Sequence, residues 1–355
     1  MKTIQQILID ADVSEHKISD IHFAPGSPCM FRIDGELVPM DDHILMPDDI
    51  AELAEPILTK ELKNILEENG EVDFAFSVKG VSRSRVNIYK QRGSLAIAFR
   101  TLTYDIPHVE ELGLPKSIVN LTDKRRGLVL VTGVTGSGKS TTLAALIHRI
   151  TETYSRNVIT LEDPIEYLHN HGKSMVTQRE VGVDTKSYAN ALRAALREDP
   201  DVILVGEMRD LETISTAITA AETGHLVFST LHTNSAAATI DRIIDVFPPY
   251  QQQQIRVQLA SVIECIISQQ LLPKASGRGR VGAFEVMLAN PAIRNLMRES
   301  KAFQIPTVIQ TSRKDGMRTM DDAIYELFDK GLVSAEDAQS YAHDPVAMGK
   351  KVQII

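Results

Sequence analysis

The segment from Gly133 to Ser140 limits the possible folds of this 355-residue chain more than any other. It fits the pattern GxxxxGK(S/T), with an apolar run at 128–132 before it and a helical pattern at 141–150 after it. Glycines let the backbone turn tightly enough for successive N–H groups to surround a phosphate, and a helix N-terminus adds partial positive charge there. The segment therefore predicts a phosphate-binding loop between a strand and a helix.

The residue types in this loop predict how a nucleotide is held. Lys139 would reach the β- and γ-phosphates, and the Ser140 hydroxyl would bind Mg²⁺, so the predicted ligands are ATP and Mg²⁺. The alternative is a glycine-rich turn that matches the pattern by chance. The other predicted nucleotide contacts come from the same loop and are Gly133, Thr135, Gly136, Ser137, Gly138 and Thr141.

Acidic residues follow two further predicted strands. The apolar run 202–205 leads to Glu207, which we predict to be the Walker B acid and to hold Mg²⁺ directly or through water. The run 158–161 leads into the acidic segment 162–166, where crowded carboxylates repel one another unless a cation or a catalytic role offsets the cost. We predict that Glu162 orients or deprotonates the attacking water. The alternatives are a solvated strand-end glutamate and an acidic loop without chemistry.

Two histidines flank a fourth predicted strand at 226–229. His232 is followed by hydroxyl and amide side chains, and His225 follows a glycine. Both are predicted to contact the γ-phosphate and to report its hydrolysis to the rest of the domain. The alternative for each is a structural histidine whose hydrogen bonds are satisfied within the fold.

Sequence patterns divide the chain into four parts. Residues 1–102 show short alternating strands and a helical pair, typical of a small α+β domain. Within this domain a tight turn is predicted at Asp34–Gly35. The stretch 103–115, which contains prolines and acidic residues, is predicted to be an interdomain linker. Residues 116–289 alternate apolar runs with helical patterns, which indicates a mainly parallel α/β sheet, and residues 290–355 are predicted to be helical.

Composition excludes several classes of protein. The net charge of −9 and the absence of tryptophan argue against a nucleic-acid-binding channel, so no nucleic-acid partner is expected. No apolar run reaches the ~18 residues of a membrane span, so we expect no transmembrane segment and a cytoplasmic protein. The two cysteines, Cys29 and Cys265, form no CxxC pair, which argues against a metal knuckle or a disulfide framework.

The four nucleotide segments, taken in order, resemble the secretion ATPase superfamily of type II secretion, type IV pilus and related machines. They are the glycine-rich loop, the acidic box at 161–166, the Walker B segment at 199–207 and the histidine box at 224–234. Residues 1–102 also look like the family's PAS-like domain, so the resemblance covers almost the whole chain. It implies an α/β protein with an N-terminal PAS-like α+β domain, then a RecA-like P-loop ATPase domain with a helical C-terminal region.

Within that superfamily, two features resemble the pilus retraction ATPases. The chain lacks the four-cysteine zinc element that extension and type II secretion ATPases usually carry, and Ala292 to Glu299 resembles the retraction signature AIRNLIRE. From spacing alone, Ile293, Leu296 and Met297 predict only one apolar face of an amphipathic helix. Val134 and Met297 depart from the family pattern but remain apolar, whereas Ser84 replaces a common phenylalanine and leaves its packing open.

The resemblance also implies a homohexamer with catalytic arginines. Arg83 and Arg85 lie two apart on a predicted strand and share one face, and Arg100 ends the next strand. As arginine fingers they would act in trans on a neighbour's ATP; the alternative is surface or interface salt bridges. The implied partners are a PilC-like platform protein of the inner membrane at the pilus base and a PilU-like paralogue. Rival interpretations are an accessory PilU-like ATPase, a nucleic-acid-translocating RecA-like motor and a non-catalytic ring subunit.

Overall fold

A computed structural model describes residues 2–12, 18–33, 36–78, 82–102 and 106–352. The chain forms two compact units, Met1–Asp105 and Ile106–Ile355, and each is described by itself. The predicted turn at Asp34–Gly35 and residues 103–105 of the predicted linker lie outside the described residues. An α+β unit followed by an α/β unit confirms the predicted fold class.

The first unit is a six-stranded antiparallel sheet with helices packed on it, in the strand order β3-β2-β1-β6-β5-β4. Its elements are α1 (Ile4–Asp12), β1 (Ile18–Phe23), β2 (Met30–Ile33), β3 (Glu36–Pro39), α2 (Pro47–Ala54), α3 (Lys60–Asn69), β4 (Glu71–Val78), β5 (Ser82–Gln91) and β6 (Ser94–Leu102). Period-2 alternation is clear in β5, where Ser84, Val86 and Ile88 are buried and Arg85 is exposed, whereas all four residues of β3 are exposed.

Aromatic packing lies at the centre of this core. Phe99 is 1% exposed, and its ring meets those of Phe23 and Phe76 edge to face, with centroid separations of 5.9 and 6.5 Å. Edge-to-face pairs of this kind add to the free energy gained from apolar burial. The facing strand residues Ile21 and Val86 are fully buried beside Phe99.

The second unit is built on a seven-stranded sheet in the order β13-β12-β7-β11-β10-β8-β9, parallel except for β13. Its elements to this point are α4 (Lys116–Val119), β7 (Gly127–Thr132), α5 (Lys139–Thr153), β8 (Asn157–Glu162), β9 (Met175–Glu180), α6 (Tyr188–Ala195), β10 (Val202–Val205), α7 (Leu211–Glu222), β11 (Leu226–Leu231), α8 (Ala236–Asp245), α9 (Pro249–Val262), β12 (Ile263–Pro273) and β13 (Arg280–Leu288).

Both faces of this sheet are covered by helices. Leu128 and Leu130 of β7 point into one apolar cluster, and Val129 and Val131 point into the other. Every residue of β7, β10 and β11 is buried, which explains why these strands read as continuous apolar runs rather than alternating ones. The strand ends are therefore fixed in position by packing on two sides.

Five helices complete the second unit: α10 (Pro291–Arg298), α11 (Ile305–Thr311), α12 (Met320–Asp329), α13 (Ala335–Tyr341) and α14 (Pro345–Val352). The Asn290 side chain accepts a hydrogen bond from the backbone N–H of Ile293 and caps α10. Ile293 and Met297 are buried and Leu296 packs beside them, so the predicted apolar face of this helix is confirmed.

The described part of the predicted linker packs on the second unit. Val109 is 3% exposed in the cluster that covers α5, and Leu112 and Leu114 pack against the same cluster. Residues 106–115 are therefore anchored rather than free, because their apolar side chains are removed from water there. Among the helices that the structure describes, none is both long and apolar enough to cross a bilayer.

We predict that Phe99→Ala destabilises the folded chain by about 3–5 kcal/mol, since it leaves a cavity between two aromatic rings. Urea unfolding of the full chain, followed by circular dichroism, measures the loss. Phe303 is 75% exposed and provides the matched control, so Phe303→Ala should change stability by less than about 0.5 kcal/mol. Equal effects of the two substitutions would contradict the described core.

Candidate active site

The carboxyl ends of four adjacent parallel strands form one edge of the second unit's sheet. The register pairs Val205 of β10 with Leu161 of β8 and with Ser229 of β11, and pairs Leu231 with Thr132 of β7. The residues that directly follow these strands therefore come together. They include the glycine-rich loop after β7, Glu162 at the end of β8, Glu207 after β10 and His232 after β11.

The glycine-rich loop has a backbone shape that requires glycine. Gly133, Gly136 and Gly138 have φ values of 147°, 80° and 87°, a region that other residues rarely adopt. At Gly133 a Cβ atom would lie 2.4 Å from the carbonyl oxygen of Gln269 and 2.5 Å from Ser137 Oγ. The loop thus lies directly against β12, and its shape is set by that close approach.

Lys139, the first residue of α5, is buried within this loop. Its Nζ donates to the carbonyl oxygens of Gly133 and Val134, at 2.8 and 3.1 Å. Burial lowers the pKa of Lys139, while the carboxylates of Glu207 and Glu166 oppose that shift. The ammonium group is therefore held by loop carbonyls, and it lies close enough to Glu207 and Glu166 to interact with their charges.

The first turn of α5 has backbone N–H groups that the helix does not use, and it carries two hydroxyl side chains, those of Ser140 and Thr141. The first backbone N–H to bond within the helix is that of Thr142, so the three before it are not used by the helix. Ser140 lies in this turn and is half-buried, and Thr135 and Gly136 lie on the exposed part of the loop. This arrangement of donors fits a phosphate group.

A chain of hydrogen bonds connects this helix to the acidic strand end. The hydroxyls of Thr141 and Tyr167 are 2.8 Å apart, and the Tyr167 carbonyl accepts from Gln178 Nε2 at 2.8 Å. Gln178 Nε2 also donates to Glu162 Oε1 at 3.1 Å. No sequence motif indicated Tyr167 or Gln178, because they lie outside the four nucleotide segments.

Glu162 is a half-buried carboxylate at the end of β8. Its Oε1 accepts hydrogen bonds from Thr160 Oγ1, at 2.6 Å, and from Gln178. Burial raises the pKa of Glu162 and the Glu166 carboxylate adds to the shift, although the hydrogen bonds oppose it. A raised pKa makes this carboxylate a better proton acceptor than an exposed glutamate.

Glu207 is 17% exposed and lies beside two basic side chains. Its Oε1 is 2.6 Å from Arg209 Nε and 3.1 Å from His232 Nε2. The hydrogen bond to Glu207 raises the pKa of Arg209. A cavity of about 490 Å³ opens next to these groups, with Met208 and Arg242 among its lining residues. Sequence reasoning found Glu207 and His232 but missed Arg209, although it lies only two residues further on.

Tyr188 of α6 also lies at this edge, and no sequence motif indicated it. A Cβ atom at Gly206 would lie 2.7 Å from the Tyr188 hydroxyl and 3.1 Å from the Leu161 carbonyl oxygen. Burial raises the pKa of Tyr188, and the charges of Asp163, Glu162 and Glu207 raise it further. The glycine before Glu207 therefore lets a tyrosine and two strand ends approach closely at the acidic edge.

The prediction that His225 contacts the phosphate site of this chain is wrong. His225 precedes β11, where Leu226 pairs with Gly127 at the amino end of β7. A strand of this length places it roughly 20 Å from His232, at the opposite edge of the sheet. Its Nδ1 instead lies 2.8 Å from the Ala220 carbonyl oxygen at the end of α7. The two histidines are close in sequence because they flank one strand. The length of that strand places them at its opposite ends.

Three predicted arginines lie on the polar face of the first unit's sheet. Arg83 and Arg85 are two apart on β5, and Arg85 pairs with Arg100 across to β6, so all three share one face. Arg85 Nε is 3.5 Å from Asp73, and Arg100 Nε is 3.0 Å from Asp20. Arg85 and Arg100 are exposed, whereas Ser84, on the other face, is fully buried.

Known proteins resemble this chain over nearly its whole length. The Type IV pilus retraction ATPase PilT of Pseudomonas aeruginosa is 48% identical over 92% of this chain and 95% of that protein. The Type IV pilus ATPase PilU of the same organism is 38% identical over 91% of the chain and 85% of that protein. A crystal structure of the pilus retraction motor PilT with bound ADP has a TM-score of 0.91 and 50% identity, and covers 100% of both chains. A family model described as Type II/IV secretion system protein matches residues 1–340, and the chain therefore belongs to that family.

Proposed function

We propose that this chain is an ATP-hydrolysing hexameric motor that powers type IV pilus retraction, and thereby twitching motility. The hydrolysis rests on one observation: parallel pairing brings Lys139, Glu162 and Glu207 to a single sheet edge. Retraction rests on the 48% identity to PilT over 92% of the chain, compared with 38% to PilU. PilT is named a retraction ATPase, which fits the Ala292–Glu299 segment.

The phosphate loop would bind and orient the nucleotide. Its glycines leave room for the phosphates, and the free N–H groups at the start of α5 point toward them. Lys139 would leave the carbonyls of Gly133 and Val134 for the β- and γ-phosphates, because an anionic oxygen is a stronger acceptor than a neutral carbonyl. This exchange couples nucleotide binding to the shape of the loop.

The donor set at the sheet edge fits Mg²⁺. Ser140 offers a hydroxyl oxygen and Glu207 a carboxylate, both hard oxygen ligands, and Mg²⁺ would neutralise charge that develops on the phosphates. Glu207 is already held between Arg209 and His232, so its carboxylate would keep its orientation while it binds the ion. Thr135, Gly136 and Thr141 would complete the phosphate contacts from the loop.

Glu162 would accept the proton of the attacking water. Its oxygen is fixed by Thr160 and Gln178, and its raised pKa favours proton transfer near neutral pH. Asp163 and Glu166 would support it by adding negative charge around the site. His232, 3.1 Å from Glu207, would respond to loss of the γ-phosphate through that contact.

The ring would place the arginines of one subunit at the nucleotide of the next. Arg83, Arg85 and Arg100 form a cationic face on the first unit, and guanidinium groups stabilise charge on a transferring phosphate. Each cycle of binding and release would then move the units and turn or lower a PilC-like platform protein in the pore. The motor would lie in the cytoplasm at the inner-membrane base of the pilus, together with a PilU-like paralogue.

Deletion of the gene for this chain should leave cells with many unretracted pili and no twitching motility. Bald cells would instead indicate a motor for extension. Wild-type chain should restore motility and Lys139→Ala should not, because the loop then lacks its phosphate cation. Rescue should also succeed in a strain that lacks every other retraction ATPase. Failure there would favour an accessory, PilU-like role.

Glu162→Gln should lower kcat for ATP hydrolysis by about 100-fold or more, the usual contribution of a general base, while nucleotide affinity changes little. The pH profile tests the same assignment. Because burial raises the pKa of Glu162, wild-type kcat should fall on acidification at a higher pH than an ordinary glutamate would cause. The variant should lack this acidic limb. Glu68→Gln, which alters an exposed glutamate of α3 in the first unit, is the matched control, and equal losses in both would contradict the role of Glu162.

Mixing two inactive variants tests the arginines in trans. Lys139→Ala removes the phosphate cation but leaves the arginines, and Arg83→Ala, Arg85→Ala or Arg100→Ala does the reverse. In mixed rings some interfaces combine an intact lysine with an intact arginine, so ATPase activity should reappear after subunit exchange. An arginine that acts within its own chain, or only in a surface ion pair, gives no recovery above the mean of the two variants.

A further inference from the structure

Three side chains of the second unit, away from the sheet edge, form a compact cluster. His108, His148 and Glu152 each offer a ligand atom, and these atoms all lie within 4.8 Å of one another. His148 Nε2 is 3.5 Å from Glu152 Oε1, and His108 Nδ1 is 4.0 Å from Glu152 Oε2. None of them has a part in the nucleotide chemistry described above.

We propose that His108, His148 and Glu152 bind one zinc ion. Two imidazole nitrogens and one carboxylate are a known ligand set for zinc, with a water molecule in the fourth position. At bond lengths of about 2.0–2.2 Å, tetrahedral ligand atoms are roughly 3.3 Å apart. The two nitrogen-to-oxygen separations, which involve different oxygens of Glu152, exceed that value by less than an ångström, and one ligand atom from each residue lies within 4.8 Å of the others. Side-chain rotations would close the remaining gaps.

The scaffold holds the three ligands with little freedom in the backbone. His148 and Glu152 are four residues apart on α5 and so project from the same side of the helix. The His108 N–H donates to Glu111 Oε1 at 3.1 Å and its carbonyl accepts from the Glu111 N–H at 3.0 Å, which closes a turn. Buried Val109 anchors that turn on the cluster around α5. Two ligands thus come from a helix and one from an anchored turn.

The ligand chemistry selects against the ions of the nucleotide site. Mg²⁺ and Ca²⁺ prefer oxygen ligands, whereas imidazole favours zinc and similar transition metals. The side chains of His108 and Glu152 are 57% and 52% exposed, so an ion and its water ligand have access from solvent. His148 lies nine residues along α5 from Lys139, about 13 Å at the helical rise, which separates the two sites.

A zinc ion here would join two parts of the chain that matter for the motor. His108 follows the boundary between the two units, which falls after Asp105, and α5 begins at the phosphate loop. Bound metal would hold residues 106–111 on this helix and so restrain the segment through which the units are connected. The site itself does not depend on the proposed function, since it rests on the second unit alone.

Metal titration of the full chain tests the proposal. Chelator-treated protein, without nucleotide or Mg²⁺, is titrated with Zn²⁺ by calorimetry and with Co²⁺ by visible absorption, which reports tetrahedral nitrogen and oxygen ligation. We expect one ion per chain. His108→Ala, His148→Ala and Glu152→Gln should each weaken it by about tenfold or more, since even changes behind the ligands cost that much. His43→Ala removes an exposed histidine of the first unit and should have no effect.

One further variant, Glu207→Gln, and the shape of the Glu152→Gln side chain make the outcome decisive. Glu207→Gln identifies zinc bound at the nucleotide edge, and it should leave the stoichiometry and affinity unchanged. Glu152→Gln keeps the shape of the side chain, so it remains informative if His148→Ala fails to fold in chelator, as judged by circular dichroism. No saturable binding, or equal affinity in wild type and Glu152→Gln, would overturn the site and leave only His–Glu ion pairs. Neither result bears on pilus retraction.

Discussion

Parallel pairing of four buried strands is the constraint on which the rest of the structure depends. In a parallel sheet the carboxyl ends of all strands lie at the same edge. The loops that follow β7, β8, β10 and β11 therefore lie close together although they are far apart in sequence. The strands are covered on both faces, and a shift in register would break apolar packing on each side. The apolar core thus fixes the positions of residues that are themselves polar.

Buried polar contacts then fix the loop against the sheet. Gln269 of β12 is 4% exposed; its Oε1 accepts from Thr142 Oγ1 at 2.8 Å, and its carbonyl oxygen lies where a side chain at Gly133 would be. A buried amide with few partners would cost free energy, whereas this one joins the strand to the helix that follows the loop. The shape of the phosphate loop is therefore set by a strand more than 130 residues further along the chain.

The sequence predicted those features that depend on neighbours in the chain. The phosphate loop, the acids at strand ends and the apolar face of α10 each follow from local spacing, and the structure has them where spacing placed them. Gln178 and Tyr188 were missed because their part at the sheet edge arises only from tertiary packing. The sequence likewise did not show that the predicted linker is partly anchored, since three apolar residues among its prolines and acids pack in the second unit. The prediction for His225 was wrong because two residues that are close in sequence lie far apart in space when an extended strand runs between them.

Two carboxylates to which the sequence assigned different roles also lie in different environments. Glu162 is bonded by a hydroxyl and an amide, both neutral, and burial raises its pKa. Glu207 Oε1 lies 2.6 Å from Arg209 Nε and 3.1 Å from His232 Nε2, which hold the carboxylate in position. A group that must take up a proton is helped by a raised pKa, whereas an Mg²⁺ ligand needs an oxygen held in a fixed orientation. The proposed split between water activation at Glu162 and Mg²⁺ binding at Glu207 is thus supported by their neighbours and not only by their positions in the sequence.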